Sequence, residues 1–203
     1  TDEPVTFGLD DLEKILGAAP HRERPDERVD RPGVVAGLAV TGGGGDVLFV
    51  EAAVVPGAGE AVVTGQLGDV MKESVRIAQS VVAQRGLKLP EDHHLHVHFP
   101  AGAVPKDGPS AGVTLVTAIT SLLSNVSARP SVAMTGEVTL SGRVLPVGGV
   151  KQKLLAAHRA GVAEALVPAA NARDLDDLPT DVLDQLTVHL VADVDRVVSL
   201  ALT

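Results

Sequence analysis

The sequence contains no cysteine, tryptophan or tyrosine, and only three phenylalanines, Phe7, Phe49 and Phe99. Without cysteine there is no disulfide, no thiolate metal site and no cysteine nucleophile, which suits a reducing compartment without requiring one. Without tyrosine or tryptophan there is little to stack on bases. Basic residues are also the minority. Seventeen Lys and Arg stand against 26 Asp and Glu, a net charge of −9, with a pI near 5.1. An acidic surface repels phosphate backbones, so both features argue against a nucleic-acid partner. No apolar run approaches the ~18 residues of a membrane span, and no signal peptide opens the chain. The default expectation is a cytoplasmic protein with no membrane partner. The start at Thr1, without Met, reads as a processed or cut chain.

What is present is globular. The 203 residues are 45% hydrophobic and 21% charged, with mean hydropathy +0.23. That composition excludes bulk disorder. The length fits one domain with a fragment of a neighbour. Folding at this size buries roughly 70% of the unfolded chain's surface. With aromatics scarce, Val, Leu, Ile and Ala must fill the core.

Residues 1–32 differ from the rest. Leu9 to Leu16 has the period of a short helix stopped by Gly17, and His21 to Pro32 is a charged, proline-containing stretch that reads as a linker. From Gly33 the pattern is continuous. Val34–Val40 and Val47–Val55 are β-rich runs about the turn Gly42–Asp46. Leu67–Gln84 has a helical period, His94–Phe99 alternates as a strand, and Pro100–Pro109 is a loop. Ser110–Leu123 is an almost wholly apolar, buried helix. Ser131–Leu140 and Arg143–Val147 are expected to form a hairpin over Ser141–Gly142, and Lys151–Ala160 a helix ended by Gly161. Leu166–Val167, Asp174–Leu178, Val188–Val191 and Val194–Leu202 then read as strand, helical turn, strand, helix. The expectation is an α+β fold, a mixed α/β arrangement of layered sheets and packed helices.

Two segments carry chemistry. Pro105–Gly112, PKDGPSAG, is a rigid loop that delivers Ser110 to a helix start, where free N–H groups favour negative charge. A serine nucleophile needs such a place, because its tetrahedral intermediate carries an oxyanion. The plain alternative is that Ser110 is an N-cap. Gly108–Gly112 also fits the G-x-S-x-G elbow of α/β-hydrolases, with His158 or His189 as base, but Pro105, Lys106 and Pro109 oppose the strand that an elbow requires. The second segment, Pro146–Lys153, places Lys151 and Lys153 at a helix N-terminus after Gly148–Gly149, where cations oppose the dipole. A neutral lysine is a competent general base for serine if desolvation lowers its pKa from about 10.4 to around 7. The small neighbours Ala156, Ala157 and Ala160 favour Lys153 as the buried one, and two solvated surface lysines are the alternative.

PKDGPSAG, MTGEVTLSGRVLPVGGVKQKLLAAHRAG and LVPAANARDLDDLP together resemble the proteolytic domain of the ATP-dependent Lon proteases, of the soluble type fused to an AAA+ module. The resemblance runs from about Gly33 to Thr203 and includes GDVMKES and HVHFPAGA. It implies a Ser–Lys dyad of Ser110 and Lys153, 43 residues apart, with Thr135 holding the lysine. His96 and His98 are expected to support the site. Glu137 is most simply a polar strand position, two residues from Thr135 and so within reach of Lys153. Asp107 orders the loop, tunes the site or caps a turn. Gly108, Pro109 and Ala111 belong to the loop expected to hold the oxyanion. His94, His96 and His98 share one strand face, a spacing able to bind zinc, whereas the resemblance implies no metal. Val40 stands where the family commonly has an aromatic residue, a departure expected to touch packing alone. No G-x-x-x-x-G-K-S/T phosphate loop occurs in the chain, so ATP and magnesium are expected to serve only an AAA+ part outside it. Residues 1–32 resemble the tail of that module, with the proteolytic domain at 33–203. Implied partners are unfolded polypeptides and other copies of the chain in a hexamer. The rival reading is a non-catalytic scaffold like the Lon-like domain of RadA-type DNA-repair proteins.

Overall fold

The computed structural model describes residues 7–17, 24–100 and 104–202. Among these the chain runs α1 (Leu9–Leu16), α2 (Pro25–Arg28), β1 (Val34–Thr41), β2 (Gly44–Pro56), β3 (Val62–Thr64), α3 (Asp69–Gln84), β4 (His93–His98) and α4 (Gly112–Ser124). It continues with β5 (Val132–Met134), β6 (Glu137–Val138), β7 (Val144–Leu145), α5 (Val150–Arg159), β8 (Glu164–Pro168), a 3-10 helix (Ala169–Leu175), α6 (Thr180–Leu183), β9 (Thr187–Val191) and α7 (Val194–Ala201). Seven strands form one mixed sheet in the order β3-β4-β2-β1-β5-β8-β9, and β6 and β7 form a separate pair. β1–β2 and β2–β4 are antiparallel, and β3–β4, β1–β5, β5–β8 and β8–β9 are parallel.

The mixed α/β expectation therefore holds, and the apolar patterns explain why. β1 reads VVAGLAVT without alternation, because both its faces are covered. Gly37 on one face meets α4, where an added Cβ would lie 2.9 Å from Thr114 Oγ1, while Val40 on the other face meets Gly149 at the start of α5. Helices α3, α4 and α7 cover the first face and α5 the second. β4 is covered on one side only. It buries Leu95 and Val97 and turns His94, His96 and His98 to the other face. α4 is buried from Gly112 to Ser121 because sheet, α3 and α7 surround it, and it ends at Asn125 in the left-handed conformation with φ 55°.

Two expectations need correction. Residues 21–23 lie outside the described set, but residues 24–32 are not a free linker. Pro25 and Val29 are buried, and Arg28 bonds Glu51 at 2.9 Å with its guanidinium 5.1 Å from the Phe49 ring centre. Ser131–Leu140 is not one strand of a hairpin. It divides at Thr135–Gly136 into β5 of the large sheet and β6 of the small pair, because Gly136 gives its N–H to Ser110 O and takes one from Val113. β3 and α6, both short, carried no readable period.

Candidate active site

α5 begins after Gly149, whose φ of +69° is a conformation that favours glycine and turns the chain out of Pro146–Gly148 into the helix. One turn in, Lys153 is only 2% exposed, whereas Lys151 is exposed. Removal from water pushes the Lys153 ammonium down to about 8. Its Nζ donates to Thr135 Oγ1 at 2.9 Å. Thr135, fully buried at the end of β5, donates its own hydroxyl to Ser110 O at 3.2 Å. A buried lysine, a threonine and the serine backbone thus form one chain of hydrogen bonds.

Ser110 is not in the first turn of α4. The helix starts at Gly112 with Ala111 as its N-cap and no side-chain cap, so the N-cap reading of Ser110 fails. The reason is local. The Ser110 carbonyl, which would otherwise enter the helical ladder, is taken by Gly136 N–H at 2.9 Å and by Thr135, while Gly112 N–H bonds Pro109 O at 3.1 Å in a tight turn. Gly112 is required there, because a Cβ would stand 2.8 Å from Val138 N. Among the described residues the Ser110 hydroxyl makes no hydrogen bond, and it is half-buried.

The loop before the serine is fastened to α3. Asp107 Oδ1 accepts from Met71 N–H at 3.0 Å, capping α3, and from Gly108 N–H at 2.9 Å. Lys106 exchanges backbone bonds with Gln66 and Gly68. Of the three open roles for Asp107, capping and loop ordering are the ones its contacts express. Within the expected oxyanion loop, Gly108 N–H is occupied by Asp107 and Pro109 has no N–H. The N–H groups of Ser110 and Ala111 remain unengaged among the described residues.

A cleft of about 430 Å³ joins these parts. Ser110, Lys153, Asp107, Pro109 and Glu137 line it, together with Val40, Pro146, Val147, Gly148 and Gly149. Val40 is 50% exposed on this wall. The departure at that position therefore falls on the cleft and not on core packing. Sequence reasoning gave no role to Pro146–Gly149 as a wall, although the Gly–Gly pair before the helix was a usable signal. Other residues lie elsewhere. Thr64 Oγ1 bonds both His96 Nε2 (3.0 Å) and His98 Nδ1 (2.7 Å) near the sheet edge, and His94 Nδ1 bonds Gly57 O. Among the described residues no three His, Asp or Glu side chains are placed to hold a metal ion. His158 bonds Gln185 and His189 bonds Glu164, and neither lines the cleft.

Comparison with known proteins agrees with this architecture. The family model described as the Lon protease (S16) C-terminal proteolytic domain matches residues 7–203. The chain is 56% identical to a Lon protease of Salinispora arenicola over 98% of its own length and 26% of the relative's. It is 59% identical to one of Frankia alni, over 98% of the chain and 24% of the relative, and 52% identical to one of Mycolicibacterium smegmatis, over 98% and 26%. The chain thus spans about a quarter of the length of the curated relatives that it matches.

Proposed function

The chain belongs to the Lon C-terminal proteolytic domain family and is a serine peptidase domain, and on that premise we propose that Ser110 and Lys153 are its catalytic dyad. The observation that carries the assignment is Lys153 itself. A buried amine titrating near 8, tied through Thr135 to the Ser110 backbone and opening into the same cleft, has no simpler structural use. Neutral Lys153 takes the Ser110 proton as Oγ attacks the peptide carbonyl carbon. The N–H groups of Ser110 and Ala111 hold the oxyanion. The lysine ammonium then gives its proton to the departing amine, leaving an ester on Ser110. Water attacks that ester, its proton passing through Lys153 back to the serine.

Substrates in this reading are unfolded or damaged polypeptides, since a folded protein offers no extended peptide. The work is ATP-dependent and belongs to protein quality control and the stress response. ATP, magnesium and unfolding belong to an AAA+ part, the whole assembles as a cytoplasmic homohexamer, and no cofactor, metal or nucleic acid takes part in hydrolysis. A RadA-like scaffold is not favoured, because it has no use for a buried base beside a serine. The test is labelling with a fluorophosphonate and mapping by mass spectrometry. The adduct is expected on Ser110, and absence of label together with full peptide turnover by Ser110→Ala would overturn the nucleophile.

A further inference from the structure

Asn171 is a buried amide, 7% exposed, on the 3-10 helix Ala169–Leu175, outside the cleft lining. Its Oδ1 accepts from Val147 N–H at 3.0 Å, and its Nδ2 donates to Val147 O at 2.9 Å. The second Nδ2 hydrogen goes to Asp174 Oδ2 at 2.8 Å. The carboxamide stands in for a neighbouring strand just where the β6–β7 ladder, with Glu137 opposite Leu145, has ended. Asp174 fixes its orientation. Turned over, the amide would set its carbonyl oxygen against both the carboxylate and Val147 O, and leave buried polar groups unpaired.

What Asn171 holds is the cleft wall. Val147, Gly148 and Gly149 face the cleft that contains Ser110 and Lys153. Gly148 and Gly149 have no side chains to pin the segment, and the chain turns through positive φ at Gly149 before α5. We infer that Asn171 is a positioning residue of the peptidase. Oriented by Asp174, it fixes the Val147–Gly149 wall on which the substrate peptide is seated, and acts on the reaction through that backbone. This rests on the reading of the cleft as the peptidase site. A wall that holds the peptide equally in ground and transition states affects binding more than chemistry.

The experiment uses the full-length protein, fluorogenic peptides and a small fluorophosphonate that reports only on the surroundings of Ser110. Asn171→Asp keeps the volume and the acceptor for Val147 N–H, but sets oxygen against Val147 O and charge against Asp174. It is expected to raise KM about tenfold, with kcat and labelling rate within about twofold of the parent. Asp174→Asn still offers an acceptor to Nδ2, so its KM should stay within about threefold. Asn171→Asp with Asp174→Asn rejoins the two side chains without restoring the donor to Val147, and KM should remain high. An unchanged KM in Asn171→Asp, or a fall of kcat and labelling in step with binding, overturns the inference. If Asn171→Asp does not fold, Asn171→Ala removes both bonds to Val147 without adding charge, and a parental KM there overturns the inference. Failure of the peptidase reading looks different: the parent protein is unlabelled, and Ser110→Ala hydrolyses peptides normally.

Discussion

Lys153 sets the balance between stability and activity at the scale of single residues. A shift from 10.5 to about 8 means that the folded state disfavours the ammonium by about 3 kcal/mol. The sign follows. The folded pKa lies below the unfolded one, so the penalty is absent above the unfolded value near 10.5 and fully present below about 8. Lys153→Met should therefore be inactive yet more stable than the parent at pH 7. The gain should be about 2 kcal/mol, once the lost Lys153–Thr135 hydrogen bond is allowed for, and should fade towards pH 10. Urea unfolding at the two pH values measures this, and a destabilised Lys153→Met at pH 7 would contradict it. Peptidase activity should rise with pH through about 8, because only the neutral amine accepts the serine proton. Lys151→Ala, at an exposed position, should keep most activity, while Ser110→Ala should lose it and retain its fold by circular dichroism. Exchange of the two lysine results would mean that Lys151 is the base.

Between elements, the serine is placed by fastening and not by helix geometry. α3 holds the loop through Asp107, β5 and β6 hold the Ser110 carbonyl, and α5 supplies the lysine. Asp107→Ala removes an acceptor from Met71 and Gly108 and should cost about 1 kcal/mol of stability. Activity should fall with it as the loop before Ser110 loosens. Asp107→Asn keeps an oxygen for both N–H groups and should stay close to the parent in both measurements. Equal loss in Asp107→Asn would show that the charge of Asp107 matters in the cleft and not its capping. Thermal denaturation and peptide hydrolysis on the same preparations separate the two.

At the scale of the whole molecule, the acidic chain with its N-terminal strap over β2 is expected to associate weakly and head to tail. Sedimentation velocity over a concentration series should show a monomer at low micromolar concentration and larger species above it. ATP with magnesium should leave the distribution unchanged, since no phosphate loop is present. A nucleotide-dependent shift would reveal a binding site among the residues of this chain, and a tight dimer at every concentration would rule out the ring.

The elements with strong periods and the two chemical segments were legible in the order of the amino acids alone. β1, β2, α3, α4 and α5 were legible because burial dictates their apolar pattern, and PKDGPSAG and PVGGVKQK because proline, glycine and lysine are costly where they have no purpose. Lys153 was legible over Lys151 only through the small residues around it. Tertiary structure decided the rest. The break of Ser131–Leu140 at Gly136, the place of Ser110 outside the helix, the exposure of Val40 on the cleft and the grip of Asn171 on Val147 all depend on hydrogen bonds between residues 23 to 26 positions apart, or on which faces meet. Periodicity records whether a side chain is buried. It does not record which distant backbone group that residue must satisfy, and those pairings are what assemble this cleft.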